Sequence, residues 1–136
     1  MTVASPAGWD ERAVRSPHGH VLQSAAWARI RAAQGWEPEF LSLSEPLPVA
    51  LVLWRRLPLG RRIAYVPRGP VADRATLPHA LERLAQHARE RGALFLKVDP
   101  ELAPEEAGPA LRAAGFRRAP DIQPILATLL LDLAPD

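Results

Sequence analysis

The chain has 136 residues, 48% of them hydrophobic and 24% charged, and its formal net charge is +2 at pH 7. This length and balance fit one globular domain and exclude an intrinsically disordered chain. The absence of cysteine excludes disulfides, thiol catalysis and thiolate metal sites. No apolar run approaches the ~18 residues of a membrane-spanning helix, and the first residues lack the apolar core of a signal peptide. We therefore predict a cytoplasmic protein with no integral membrane segment.

The first regular element is a predicted helix in "SAAWARIRAAQGW", which starts at Ser24. Ser24 is a favoured N-cap residue, and Gly35 stands where a glycine often ends a helix. Trp27, Ile30 and Ala33 recur at helical spacing, so we expect them to form the apolar face of this helix.

Three strands are predicted after this helix. Residues 38–44 alternate between apolar and polar side chains, and residues 61–66 are rich in strand-forming residues. Residues 48–56 are almost entirely apolar, which predicts a strand that is buried on both faces. Short turns separate the three segments, so they most simply form an antiparallel meander.

The second half of the chain alternates between helix and strand. Thr76 is the predicted N-cap of a helix that ends before Gly92. The apolar stripe of this helix consists of Leu77, Ala80, Leu81, Leu84, Ala85 and Ala88. Residues 93–98 predict a compact buried strand, and residues 125–133 predict a final strand. Between them a shorter helix is predicted at residues 109–114, or from residue 104.

The order of these elements predicts an α/β (α+β) fold with a mixed sheet. Residues 63–66 and 93–98 flank a helix of ~15 residues, as in a βαβ unit, so they are predicted to be parallel neighbours. The fold is therefore a single domain in which an antiparallel meander is followed by a βαβ crossover.

A rigid segment, "PRGP", follows the first of the two parallel strands. Pro67 and Pro70 each fix φ and lack an N–H, and Gly69 is free to adopt φ values that other residues avoid. Parallel strands end at the same edge of a sheet, so Arg68 and Asp99 are predicted to emerge side by side, where ligands often bind. In one interpretation Arg68 binds a phosphate or carboxylate, with Asp99 orienting it or contacting the ligand. In the other, the two residues form a structural ion pair.

Other polar groups also have two interpretations each. A first group, around the first helix, consists of Gln23, Trp27, Arg29 and Arg31. Either an arginine of this group binds a phosphate, or Trp27 is a core residue and the arginines are solvated. The four arginines of "RRLPLGRR" also have two interpretations: they bind an RNA backbone, or they surround a solvated turn. No aromatic residue interleaves with them along the chain, which favours the solvated turn. His79 and His87 are expected to be exposed and without partners. The histidines of "HGH" lack further ligands at metal-binding spacing, so no metal site is predicted.

Five segments in order resemble the FemABX peptidyltransferases, which extend the cross-bridge of bacterial peptidoglycan. They are "LQSAAWARIRAAQGW", "AYVPRGPVAD", "GALFLKVDPE", "GF" and "IQPILATLLLDL". The resemblance implies a GNAT-like (acetyltransferase-like) fold that occurs twice in full-length members, with residues 1–136 as the N-terminal copy. It also implies transfer of an aminoacyl group from aminoacyl-tRNA to the side-chain amine of a peptidoglycan stem peptide, with no cofactor and no metal.

The resemblance further implies positions for substrate-binding residues. Arg31, with Arg29 as the second choice, matches the basic residue that follows the first-helix tryptophan and meets the diphosphate of the precursor. Tyr65, Arg68 and Asp73 match the family's loop between strand and helix, near the precursor cleft. No catalytic residue is implied.

The expected partners follow from the same resemblance. They are a peptidoglycan precursor, either UDP-muramyl pentapeptide or its lipid-linked form, and aminoacyl-tRNA bound through a second domain. Without that domain the chain is expected to be catalytically incomplete, and an uncovered apolar face favours a homodimer. One alternative is a non-catalytic binding module that retains the fold. Another is an acetyl-CoA N-acetyltransferase, although the prolines of "PRGP" remove N–H donors that a pyrophosphate loop needs.

Overall fold

A computed structural model describes residues 1–120 of the chain. Its helices are α1 (Trp9–Ala13), α2 (Ala25–Ala33), α3 (Leu77–Glu90) and α4 (Pro104–Ala113). Its strands are β1 (Thr2–Val3), β2 (Glu37–Ser42), β3 (Val49–Arg56), β4 (Arg62–Val66) and β5 (Ala93–Val98). None of these helices is long and apolar enough to cross a bilayer. The strand predicted at residues 125–133 lies outside the described residues.

The strands form one sheet in the order β1-β2-β3-β4-β5. Each neighbouring pair from β1 to β4 is antiparallel, whereas β4 and β5 are parallel. Helix α3 connects the two parallel strands. The predicted antiparallel meander with a βαβ crossover is therefore confirmed.

Strand β3 is the centre of the core, and it is buried on both faces as predicted. Ala50, Val52 and Trp54 belong to the apolar cluster that includes α3 and α4. Leu51 and Leu53 belong to a second cluster, on the opposite face, that includes α1 and α2. Full burial of one leucine side chain contributes about 1.5–3 kcal/mol, so this strand holds both helical layers to the sheet.

Helix α2 begins as predicted but packs through a different face. The Ser24 hydroxyl accepts a hydrogen bond from the Trp27 amide at 3.0 Å, which confirms the N-cap. The expected apolar face is wrong, because Ile30 is 49% exposed and Ala33 is also exposed. Ala28 is the buried residue of this helix. Its small side chain lets the helix approach the sheet closely, and that contact decides which face is covered.

Helix α3 buries its predicted stripe, apart from the half-buried Ala85. Thr76 is the N-cap residue as predicted, but its side chain makes no capping hydrogen bond to the helix. The amide and the hydroxyl of Thr76 both donate to Asp73 Oδ1, each at 2.8 Å. The hydroxyl is thus engaged by the residue that precedes the helix.

Strand β5 is less buried than predicted. Leu94 and Phe95 are each 54% exposed, while Ala93, Leu96 and Val98 pack against the core. Within residues 1–120, β5 is the last strand of the sheet. Its outer edge therefore has no neighbouring strand in that part of the chain, and the expectation of a compact buried strand is wrong for these two residues.

Candidate binding site

The segment after β4 crosses the carboxyl edge of the sheet beside the end of β5. The Asp99 amide donates to the Gly69 carbonyl at 3.0 Å, and Val71 forms a bridge with Val49. Arg68 precedes these anchors with a φ of 48°, a left-handed conformation that costs about 1–2 kcal/mol for a residue with a Cβ. The sequence suggested that Gly69 would adopt such a φ. The strained residue is instead Arg68.

Arg68 is held between two carboxylates. Its Nε lies 3.6 Å from Asp99 Oδ2, and its Nη1 donates to Glu101 Oε1 at 3.1 Å. The predicted adjacency of Arg68 and Asp99 is confirmed, whereas Glu101 was not anticipated. The three groups together carry a net negative charge, so an anionic ligand at Arg68 must compete with both carboxylates. Partly exposed ion pairs are individually weak, which makes such an exchange accessible.

A buried glutamine fastens this loop to the sheet. Gln23 lies in a short 3-10 turn ahead of α2 and is 0% exposed. Its Oε1 accepts from the Leu51 amide at 2.7 Å, and its Nε2 donates to the Pro67 carbonyl. The backbone carbonyl of Gln23 accepts from Trp9 Nε1 at 2.6 Å. This residue therefore joins α1, β3 and the loop.

Near the C-terminal end of α2, tryptophan and arginine side chains alternate. The Arg31 guanidinium carbon lies 5.7 Å from the ring centre of Trp27 and 5.0 Å from that of Trp36. The guanidinium carbon of Arg55 lies 5.4 Å from the Trp36 ring centre. We call these four residues the arginine–tryptophan stack. Each cation–π contact contributes about 0.5–1 kcal/mol at an exposed site. Trp36 therefore stacks on Arg55, an arginine of "RRLPLGRR", although the two residues are far apart in the sequence.

Arg31 is held in a defined position, unlike a freely solvated arginine. It is half-buried, and its Nη1 donates to Gln34 Oε1 at 2.8 Å. Arg29 is exposed. Within residues 1–120, the buried atoms Trp27 Nε1 and Arg31 Nε have no hydrogen-bond acceptor. Buried polar atoms are nearly always hydrogen-bonded, so these two donors are exceptions among the buried groups of the described residues.

The arginine–tryptophan stack and Arg68 lie near opposite ends of strand β4. Trp36 directly precedes β2. The start of β2 pairs with the end of β3, and the end of β3 pairs with the start of β4. Arg68 follows the end of β4. The length of β4, roughly 16 Å at ~3.3 Å per residue, therefore separates them. The structure brings Trp27, Arg29 and Arg31 together on one helix and Arg68 beside Asp99, but it does not join the two groups.

The remaining predicted residues, Tyr65 and Asp73, differ in exposure. Tyr65 is 4% exposed and belongs to the core cluster on the α1 and α2 side of the sheet. Asp73 is exposed. Hydrogen bonds from the side chain and the amide of Thr76 hold the pKa of the Asp73 carboxyl below its ordinary value. Asp73 thus stabilises the start of α3 as a carboxylate.

On the face of the sheet that α3 covers, His87 belongs to a polar cluster, so the expectation that it has no partner is wrong. Its Nε2 lies 2.9 Å from Glu39 Oε2, which also accepts from Trp54 Nε1 at 2.8 Å. Arg91 Nη1 donates to Glu39 Oε1 at 3.0 Å. His87 has partners because α3 packs across β2 and β3, whereas His79 is exposed as expected. Among residues 1–120, no group of three or more metal-ligating side chains is arranged to hold a metal ion.

Comparison with known protein families identifies relatives of this chain. The model of the FemAB family matches residues 8–108. A lipid II:glycine glycyltransferase of Staphylococcus saprophyticus is 32% identical over 111 residues, covering 74% of this chain and 27% of that protein. A UDP-N-acetylmuramoylpentapeptide-lysine N(6)-alanyltransferase of Weissella viridescens is 31% identical over 102 residues, covering 70% of this chain and 30% of that protein. The chain thus spans less than a third of the length of these curated relatives.

Solved structures with a similar fold are more distant in sequence. TTHA1254 of Thermus thermophilus superposes with a TM-score of 0.53 at 21% identity, covering 96% of both chains. A probable acetyltransferase superposes with a TM-score of 0.50 at 19% identity, covering 79% of this chain and 77% of the other. These likenesses concern the fold alone, and they agree with the predicted acetyltransferase-like architecture.

Proposed function

The chain belongs to the FemAB family, and from this premise we propose that it is the precursor-binding domain of an aminoacyltransferase that builds peptidoglycan cross-bridges. The observation that carries the proposal is the family match over residues 8–108. It is supported by two relatives whose names specify lipid II and UDP-N-acetylmuramoyl pentapeptide. Both names describe transfer of an amino acid to a peptidoglycan precursor.

In this proposal the chain is the first of two GNAT-like domains. It binds the precursor, either as UDP-muramyl pentapeptide or in lipid-linked form, and a second domain binds aminoacyl-tRNA. Catalysis then depends on holding the acceptor amine against the aminoacyl ester, with contributions from proximity and electrostatics. We assign no cofactor and no nucleophilic residue in this domain to the reaction.

Arg31 is the residue that we assign to the diphosphate of the precursor. Its guanidinium is positioned between Trp27 and Trp36, which limits the side-chain entropy that binding must remove. The charged guanidinium of Arg31 supplies donors that suit phosphate oxygens. Arg29, exposed on the same helix, is the second choice.

Arg68 is assigned to a second contact at the other end of β4. Its two carboxylate partners already satisfy much of its charge, so a ligand carboxylate or phosphate there exchanges with an existing ion pair. We therefore expect a smaller contribution from Arg68 than from Arg31. Asp99 lies beside Arg68, and we assign it a contact with the same ligand.

Isothermal titration of the chain with UDP-N-acetylmuramoyl pentapeptide tests this function. We expect Arg31→Ala to weaken binding by at least tenfold, because a hydrogen bond to a charged group contributes about 1.5–3 kcal/mol. Arg68→Ala should weaken it less. The control is Arg89→Ala, an exposed arginine of α3. Unchanged binding in Arg31→Ala contradicts the site, whereas no binding by the unaltered chain contradicts the function.

A further inference from the structure

The side chain of Gln23 uses both ends of its amide to hold the segment after β4. The Oε1 atom accepts from Leu51 in the centre of β3, and the Nε2 atom donates to the carbonyl of Pro67, the first residue after β4. A glutamine amide has one acceptor oxygen and one donor nitrogen. In Gln23 they connect the most buried strand to the loop.

The loop and Gln23 fit together without spare room. A Cβ added to Gly69 would lie 2.8 Å from Gln23 Nε2 and 2.9 Å from its Cδ. Pro67 and Pro70 have no N–H with which to fasten the loop. The loop is instead attached through its carbonyls, at Pro67 by Gln23 and at Gly69 by the Asp99 amide.

The strained residue lies between these two attachments. Arg68 follows the carbonyl held by Gln23 and precedes the carbonyl held by Asp99, and its φ is 48°. A non-glycine residue stays in this conformation only when its surroundings enforce it. Release of either attachment should let Arg68 relax and turn its guanidinium away from Asp99 and Glu101.

We propose that Gln23 is a positioning residue that orients Arg68 at the carboxyl edge of the sheet for contact with an anionic group of the ligand. The ligand part of this inference rests on the proposed precursor-binding function. Gln23 itself is 0% exposed, so a ligand cannot reach its side chain and its effect passes through the Pro67 carbonyl. The control that Gln23 exerts over the loop can be measured without any ligand.

The first experiment follows amide hydrogen exchange in Gln23→Met, which keeps the volume of the side chain and removes both hydrogen bonds. We expect exchange of the Asp99 amide to accelerate at least tenfold, while the amide of Leu84 in α3 stays protected, because only the loop opens. Gln23→Glu keeps an acceptor oxygen for the Leu51 amide, but it replaces the donor to the Pro67 carbonyl with a carboxylate oxygen, which repels that carbonyl. It tests the loop contact alone if Gln23→Met does not fold. Gln86→Met, on the exposed side of α3, is the matched control.

The second experiment is a double-mutant cycle in the affinity for UDP-N-acetylmuramoyl pentapeptide. We expect Gln23→Met to weaken binding by no more than Arg68→Ala does when Arg68 is present, and to have almost no effect in the Arg68→Ala background, as for directly coupled residues. A merely structural effect of Gln23 would weaken binding equally in both backgrounds.

The two readouts separate the possible outcomes. Faster exchange at Asp99 together with a non-additive cycle supports the positioning role. Equal losses in both backgrounds overturn it, as does unchanged exchange at Asp99. If the unaltered chain does not bind the precursor, the proposed function fails, and the exchange measurement alone still decides whether Gln23 controls the loop.

Discussion

Replacement of Gly69 by alanine tests the packing of the loop most directly. The new Cβ would lie 2.8 Å from Gln23 Nε2, 2.9 Å from Gln23 Cδ and 2.9 Å from Val66 Cγ1. Real Cβ atoms do not approach other atoms this closely, so either the loop moves outward or Gln23 leaves its position. The φ of Gly69 is not in the left-handed region, so the cost arises from crowding alone.

The expected loss of stability follows from these two responses. Overpacking of a well-packed site costs about 1–3 kcal/mol. Displacement of Gln23 would leave the Leu51 amide and the Pro67 carbonyl buried without their partner, at about 1–3 kcal/mol for each group. We therefore expect Gly69→Ala to lower the free energy of unfolding by about 1–3 kcal/mol, since the response with the lower cost, outward movement of the loop, will dominate.

Urea denaturation followed by tryptophan fluorescence measures this loss. The matched control is Gly108→Ala in α4, where the new Cβ meets only the flexible side chain of Arg112, at 3.2 Å from Nη1. Alanine is favoured over glycine inside a helix by about 0.5–1 kcal/mol, so this variant should be neutral or more stable. A loss below about 0.5 kcal/mol for Gly69→Ala, or equal losses in both variants, would refute the reasoning.

Three further predictions concern other parts of the molecule. Glu39→Ala should lower the free energy of unfolding by about 2–3 kcal/mol in urea denaturation, because it leaves Trp54 Nε1 without its acceptor, whereas the exposed Glu82→Ala should not. Asp73→Asn should reduce stability at pH 7 and match the parent at low pH. The lowered pKa of Asp73 means that its carboxylate stabilises the fold above the unfolded pKa near 3.8 and loses that effect as pH falls through the lower folded pKa. Coenzyme A should not raise the melting temperature, because the prolines of the loop supply no N–H donors for its pyrophosphate.

The strands, the helices and their order in the sheet were predictable wherever a local sequence pattern determines them. The continuous apolar run of β3 predicted burial on both faces, and the order of strand, helix and strand predicted that β4 and β5 are parallel. These features depend on periodicity and on short connections, which a single sequence contains. The adjacency of Arg68 and Asp99 followed from that topology without any knowledge of side-chain positions.

The contacts that were missed depend on residues far apart in the chain. Gln23 is 28 residues from Leu51 and 44 from Pro67, and nothing near it in the sequence marks a polar side chain as buried. Trp36 meets Arg55 only because β2 and β3 pair in one particular register. For the same reason His87 was expected to be exposed, since its partner Glu39 lies on another element.

The separation of Arg31 from Arg68 sets the length that a ligand needs in order to contact both residues. Arg31 contacts Trp36 near the start of β4 and Arg68 follows its end, roughly 16 Å along the strand, so we expect a small ligand such as a free phosphate to contact only one of the two arginines. A long ligand with an anionic group at each end can reach both, and its second contact then forms at a high effective concentration. Under the proposed function the domain would thus select ligands by length as well as by charge, and two short fragments of such a ligand would bind far more weakly than the intact molecule.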